Sequence, residues 1–224
     1  MKKCSENIIL NNRLRALYLN KTNEFLGVLG DKKQNRINEF GIIDIHNYNA
    51  DRGILFIGKE TNGWGVLREE TFLDWINDII TGQQKTKRPQ IWYNLGRWAK
   101  FIVDPTIDKK EIVNEKVTSL SGLRKIAFTN VNKVGGGSVS GNEFWELTKE
   151  DITRNLLIEE IYILKPKVIV LCGLKRQDIG LENIDKGFLT IEMPHPSARN
   201  ISKLDMLSRL ENQLKEAGWG GCYE

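Results

Sequence analysis

Residues 165–173 read Lys165-Pro166-Lys167-Val168-Ile169-Val170-Leu171-Cys172-Gly173. Pro166 stops the periodic stretch before it, because the residue ahead of a proline is pushed out of the helical region. An apolar, β-branched run follows with no polar alternation, and a glycine closes it. Such a run is a strand buried on both faces, the habit of parallel sheets. Three other short apolar runs, rich in β-branched or aromatic residues and with a polar or glycine boundary, also read as buried strands: Gly53-Ile54-Leu55-Phe56-Ile57-Gly58, Lys125-Ile126-Ala127-Phe128-Thr129-Asn130, and Gly187-Phe188-Leu189-Thr190-Ile191-Glu192-Met193. Helical periodicity separates them. It is present over about 68–81, 90–103, 143–164 and 202–217, and near the N-terminus over about 6–29. Strands alternating with helices predict an α/β fold with right-handed βαβ units and a four-stranded parallel sheet. A ligand site in such a sheet lies outside the carboxyl ends of the strands.

Composition narrows the chemistry. The chain has 224 residues, 40% of them hydrophobic and 28% charged, with a formal charge of +4. That predicts one soluble domain over 1–224, with residues 1–50 as a helical extension packed on it. No apolar run approaches a membrane span and no apolar signal core follows Met1-Lys2-Lys3-Cys4, so the expectation is a cytoplasmic protein with no membrane partner. Cys4, Cys172 and Cys222 are scattered, and there are only two histidines. This argues against a disulfide framework, a four-cysteine cluster and a three-histidine zinc site. Cys172 reads as a core residue and His46 as having no functional context.

The strand ends carry the polar residues. The first core strand runs into Gly58-Lys59-Glu60-Thr61-Asn62-Gly63-Trp64-Gly65. Glu60 is a candidate general base or stabiliser of a cationic transition state, or else a helix-capping surface residue. Trp64 either stacks on a base or sugar or packs as core. The second strand ends in Thr129-Asn130-Val131-Asn132-Lys133, followed by Gly135-Gly136-Gly137-Ser138. Asn130 has the donors and acceptor to read a pyrimidine edge, or to close the sheet end, and Asn132 suits either role. The triple glycine lacks the Gly-Lys-Ser/Thr of a P-loop and reads as a flexible loop. The fourth strand ends in Pro194-His195-Pro196-Ser197-Ala198-Arg199-Asn200. Two prolines restrain the backbone around His195. Ser197, outside any nucleophile elbow, and Arg199 suit phosphate contacts.

These residues resemble the uracil-DNA glycosylase superfamily. Gly58-Lys59-Glu60-Thr61-Asn62 stands where that superfamily has its first motif. Thr129-Asn130-Val131 is similar to the strand end of the thermostable bacterial branch. His195-Pro196-Ser197-Ala198-Arg199 resembles the second motif and, with Asn200, the single-strand-selective branch. The matching order spans roughly residues 53–215, and only the three short motifs are specific. The resemblance implies a three-layer αβα sandwich, a monomer, and DNA repair by base excision: a monofunctional hydrolase of the N-glycosidic bond to a deaminated or damaged base, foremost uracil, in single- or double-stranded DNA. It implies Glu60 and His195 as catalytic residues. Gly58, Asn130 and one aromatic, Trp64 or Phe72, would hold the base, and Ser197, Ala198 and Arg199 would enter the DNA. The residue types suit the chemistry, in which an oxocarbenium-like sugar parts from an anionic base, and that chemistry implies no metal and no cofactor.

The sequence departs from the family at Thr61, where proline is usual, in Asn62-Gly63-Trp64-Gly65, and in the glycines after Asn130. These departures keep two other readings open. One is a catalytically altered nucleic-acid, nucleotide or modified-base recognition module of the same fold. The other is a nucleotide-binding α/β protein without DNA contact.

Overall fold

The computed structural model describes residues 2–29, 37–62, 71–86, 89–115, 118–136, 141–182, 184 and 187–219. The strands are β1 (Gly41–Ile42), β2 (Ile54–Gly58), β3 (Thr61–Asn62), β4 (Ala127–Asn130), β5 (Gly135–Gly136), β6 (Val168–Cys172) and β7 (Leu189–Met193). The helices are α1 (Lys2–Leu29), α2 (Phe72–Thr81), α3 (Pro89–Val103), α4 (Lys109–Asn114), α5 (Asn142–Lys149), α6 (Asp151–Leu164) and α7 (Lys203–Glu216).

The main sheet has the order β1-β4-β2-β6-β7. Its four long strands are parallel, and each coincides with one of the apolar runs. Every residue of β2, β4 and β6 is buried, which is why these segments show no alternation. The sheet is nevertheless five-stranded and mixed. Gly41–Ile42 adds an antiparallel edge to β4, and Asn11 of α1 bonds both the N–H and the carbonyl of Ile42. Two residues have no periodicity to read, and a side chain from a distant helix holds them in place.

The chain leaves β2 for β4 in one direction across the sheet and returns past β2 to β6 in the other. Right-handed crossovers in opposite directions put their helices on opposite faces. The packing agrees: α6 touches α1 and α5, while α3 touches α4 and α7. Leu14, Leu17, Tyr18 and Phe25 of α1 share one core with the buried strands. None of the described helices is long and apolar enough to cross a membrane.

Local signals set the helix ends. Thr71 and Asp74 form a reciprocal capping box at α2, which Gly82 ends in the left-handed conformation. Pro89 occupies the first position of α3, where its missing N–H costs nothing. Ser202 caps α7 through the Asp205 N–H. The single helix expected over 143–164 is two. Glu150 is extended between α5 and α6, and Arg154 Nε bonds the Thr148 carbonyl across the break. Neither proline nor glycine marks that break.

The triple glycine is not simply a flexible loop. Gly135 and Gly136 pair in parallel with Thr61 and Asn62, zipping together the segments that follow β4 and β2. Asn38 straps this junction: its side chain bonds Thr61 Oγ1 and its N–H bonds the Lys133 carbonyl.

Candidate active site at the strand ends

Three glycines make room for three of the expected site residues. A Cβ added to Gly58 would lie 2.3 Å from Asn130 Oδ1. Gly58 and Asn130 are register partners at the ends of β2 and β4, so the carboxamide leans over the end of β2. A Cβ on Gly136 would meet the Glu60 carboxyl at 2.1–2.5 Å. Gly173, at φ +74°, has the His195 Cβ, Cα and N 3.0–3.3 Å from where its own Cβ would stand. The His195 turn therefore packs over the end of β6, and its glycine meets both a conformational and a steric demand.

Asn130 is 3% exposed, and among the described residues its carboxamide has no hydrogen-bond partner. The Asn130 donors and acceptor are thus left available to a polar edge presented at the strand ends. Its backbone is fixed from below. Lys133 Nζ bonds the Asn130 carbonyl and also Thr129 Oγ1 at 2.6 Å. Lys133 and Glu160 form an ion pair at 2.6 Å with side chains 0% and 1% exposed. Tyr18 donates to Glu160 Oε1 at 2.6 Å and Thr129 to Oε2 at 2.8 Å. Burial pushes the Lys133 ammonium below the usual lysine range, opposed by the Glu160 charge, and burial with Glu160 pushes the Tyr18 phenol up. α1 and α6 thus meet beneath Asn130.

Glu60 is half-buried. Asn132 Nδ2 donates to Glu60 Oε2 at 3.2 Å, while Asn132 Oδ1 accepts from the Val134 N–H at 3.1 Å. Val131 N–H bonds the Gly58 carbonyl and Asn132 N–H the Lys59 carbonyl, both at 2.9 Å, extending the β2–β4 ladder past the strand ends. Lys59 turns away over the Trp145 and Phe144 rings, 5.2 and 5.9 Å from their centroids.

The His195 ring is exposed and Pro196 is buried. The Ser197 N–H bonds His195 Nδ1 at 3.2 Å, and Ser197 Oγ lies 2.7 Å from the same nitrogen. A backbone N–H can only donate, so Nδ1 is an acceptor and the neutral ring carries its proton on Nε2. Asn94 of α3 anchors the turn by donating to the Pro196 carbonyl at 2.7 Å. Arg97, 1% exposed, fixes Asn94 through its Oδ1 at 2.9 Å and bonds the Ile112 and Glu115 carbonyls.

Ser197 and Ala198 are half-buried, and Arg199 is exposed just beyond them. Phe72 is 4% exposed and packs with Phe40, Trp75, Trp92 and Phe128, and the Phe128 ring edge reaches Gly58. Phe72 is thus a core aromatic one ring removed from the strand end. Trp64 lies outside the described residues. Cys172 is buried, and burial pushes its thiol up. His46 Nδ1 lies 3.4 Å from Cys4 Sγ, an exposed contact away from the strand ends.

Asn94, Arg97 and the Lys133–Glu160 pair were not legible as site residues. They sit inside apolar helices or just past a strand, where their side chains read as ordinary surface polarity. Among the described residues no group of three or more His, Cys, Asp or Glu could hold a metal ion. A hollow of about 150 Å³ between Arg52, Ile54, Lys125 and Trp219 lies at the opposite, amino end of the strands and takes no part in this arrangement.

No protein-family model, curated protein or solved structure matches this chain, so the site's own geometry carries the functional reading.

Proposed function

We propose that this chain is a uracil-DNA glycosylase-like hydrolase of three-layer αβα type, releasing a deaminated base, foremost uracil, from DNA. The observation that carries the reading is the trio Glu60, Asn130 and His195 at the carboxyl ends of the sheet, each beside a glycine that a side chain would close. The chemistry needs three things: a negative group near the sugar, a donor near the departing base, and a group that reads the base edge. Glu60 supplies the first. His195 supplies the second, because Ser197 leaves Nε2 as the ring's N–H. The buried Asn130 carboxamide supplies the third. The exposed Arg199 beyond the histidine turn is suited to a DNA phosphate or to the gap left by a flipped nucleotide.

The test is a panel of single- and double-stranded oligonucleotides containing uracil, hypoxanthine or xanthine. Alkali after incubation should give cleavage at the modified position. Binding to the panel with no base release would instead support the recognition module. No salt-dependent DNA binding at all would support a nucleotide-binding protein.

A further inference from the structure

We propose that Asn132 is a positioning residue for the Glu60 carboxylate, orienting it without neutralising it; this rests on Glu60 being the catalytic carboxylate proposed above. Asn132 is 2% exposed, and both ends of its amide are committed. The Val134 N–H can only donate, so the atom it meets is Oδ1 and the Asn132 amide has one orientation. Nδ2 must then face Glu60, where it donates to Oε2. The Asn132 backbone is itself bonded to Lys59, so donor and carboxylate belong to one hydrogen-bonded frame. Gly136 leaves the carboxyl its space on the other side.

The charged neighbours along the chain are engaged elsewhere. Lys59 lies over Trp145 and Phe144, and Lys133 is paired with Glu160. Among the described residues Glu60 has no ion-pair partner. A lysine or arginine in place of Asn132 would fix the carboxylate equally well but cancel the charge that a cationic sugar requires. A neutral amide on Oε2 fixes the group, keeps its charge and leaves Oε1 for water or the sugar.

Two substitutions and one measurement on the parent protein test this. In Asn132→Asp, one oxygen still accepts from Val134 and the other faces Glu60 as a second carboxylate. Two carboxylates sharing a site hold a proton between them, so the acid limb of the pH–rate profile should move up by about one unit or more. The Glu60 carboxyl carbon, followed by NMR, should titrate correspondingly higher than in the parent. Asn132→Leu keeps the volume and removes the donor. It should lower kcat about tenfold or more with KM little changed. In the parent, the Asn132 side-chain amide protons should shift with the Glu60 titration. An unmoved titration in Asn132→Asp, or parent amide protons indifferent to Glu60, overturns the proposal. If the parent releases no base, the catalytic reading fails, while the NMR titrations still decide whether Asn132 holds Glu60.

Discussion

The Glu60 carboxyl group fills the space that a side chain at Gly136 would need, with its Cδ 2.1 Å from the ideal Cβ position. The φ of Gly136 is not in the left-handed region, so the demand there is steric alone. Gly136→Ala should therefore leave the sheet intact and push Glu60 off its position. A displacement of about 1 Å at a reacting group costs about 100-fold, so base release should fall by about that factor. Single-turnover excision with a parallel melting curve reads both effects. An unchanged rate would mean that Glu60 does not work from this position.

Glu60→Gln keeps the shape and removes the charge, and His195→Ala removes the donor. Each should lower the single-turnover rate by about 100-fold or more. Oligonucleotide affinity should change little, since the Arg199 contact proposed for DNA is retained. Asn130→Ala should instead weaken discrimination between modified bases, which competition within the panel measures.

Asn94→Leu removes the donor to the Pro196 carbonyl and strands Arg97 without its side-chain acceptor. Stability should drop by about 1–3 kcal/mol, the usual cost of a buried unsatisfied group. Base release should fall more than melting alone accounts for, because the His195 turn loses its anchor. Urea titration and excision at a temperature well below melting separate the two.

Lys133→Met leaves the Glu160 carboxylate buried without its cation. The cost should be about 3–5 kcal/mol. The double variant Lys133→Met/Glu160→Leu removes the unpaired charge but takes partners from Tyr18, Thr129 and the Asn130 carbonyl, so its loss should be smaller than the two single losses together without returning to the parent. Denaturant unfolding of both singles and the double completes the cycle. A loss in the double equal to the sum of the two single losses would mean that the pair is not coupled.

Asp44 sets an acid-side dependence. Burial alone would raise its carboxyl, but hydrogen bonds from Arg124, Asn47 and the His46 and Asn47 N–H groups hold it below its ordinary 3.8. With a depressed folded-state value, its contribution is complete above the unfolded value and is lost as pH falls through the folded one. Melting temperature between about pH 5 and 2 should fall less steeply in Asp44→Asn than in the parent. A parallel slope would rule out Asp44 as a source of acid sensitivity.

Much of the fold was legible because burial on both faces leaves a mark in the chain. Ile54–Gly58, Ala127–Asn130 and Val168–Cys172 are buried throughout and largely apolar, the edge strand Leu189–Met193 instead alternates with Glu192 exposed, and the helices between them carry one-faced patterns. The edge strand Gly41–Ile42 and the Thr61–Gly135 ladder left none. Each is two residues long, and each is held by partners far away in sequence.

Sequence by itself determined the parallel sheet and which residues stand at its carboxyl ends, because strand periodicity and strand-end chemistry are local. Only the tertiary structure decided how those residues are held. Asn132 turned out to face Glu60, Asn94 to anchor the His195 turn, and Lys133 to be buried on Glu160 from α6 and Tyr18 from α1. Hydrogen bonding and charge pairing act through space between segments up to 142 residues apart. A polar side chain in a helix or loop looks the same in the sequence whether it meets water or a buried partner.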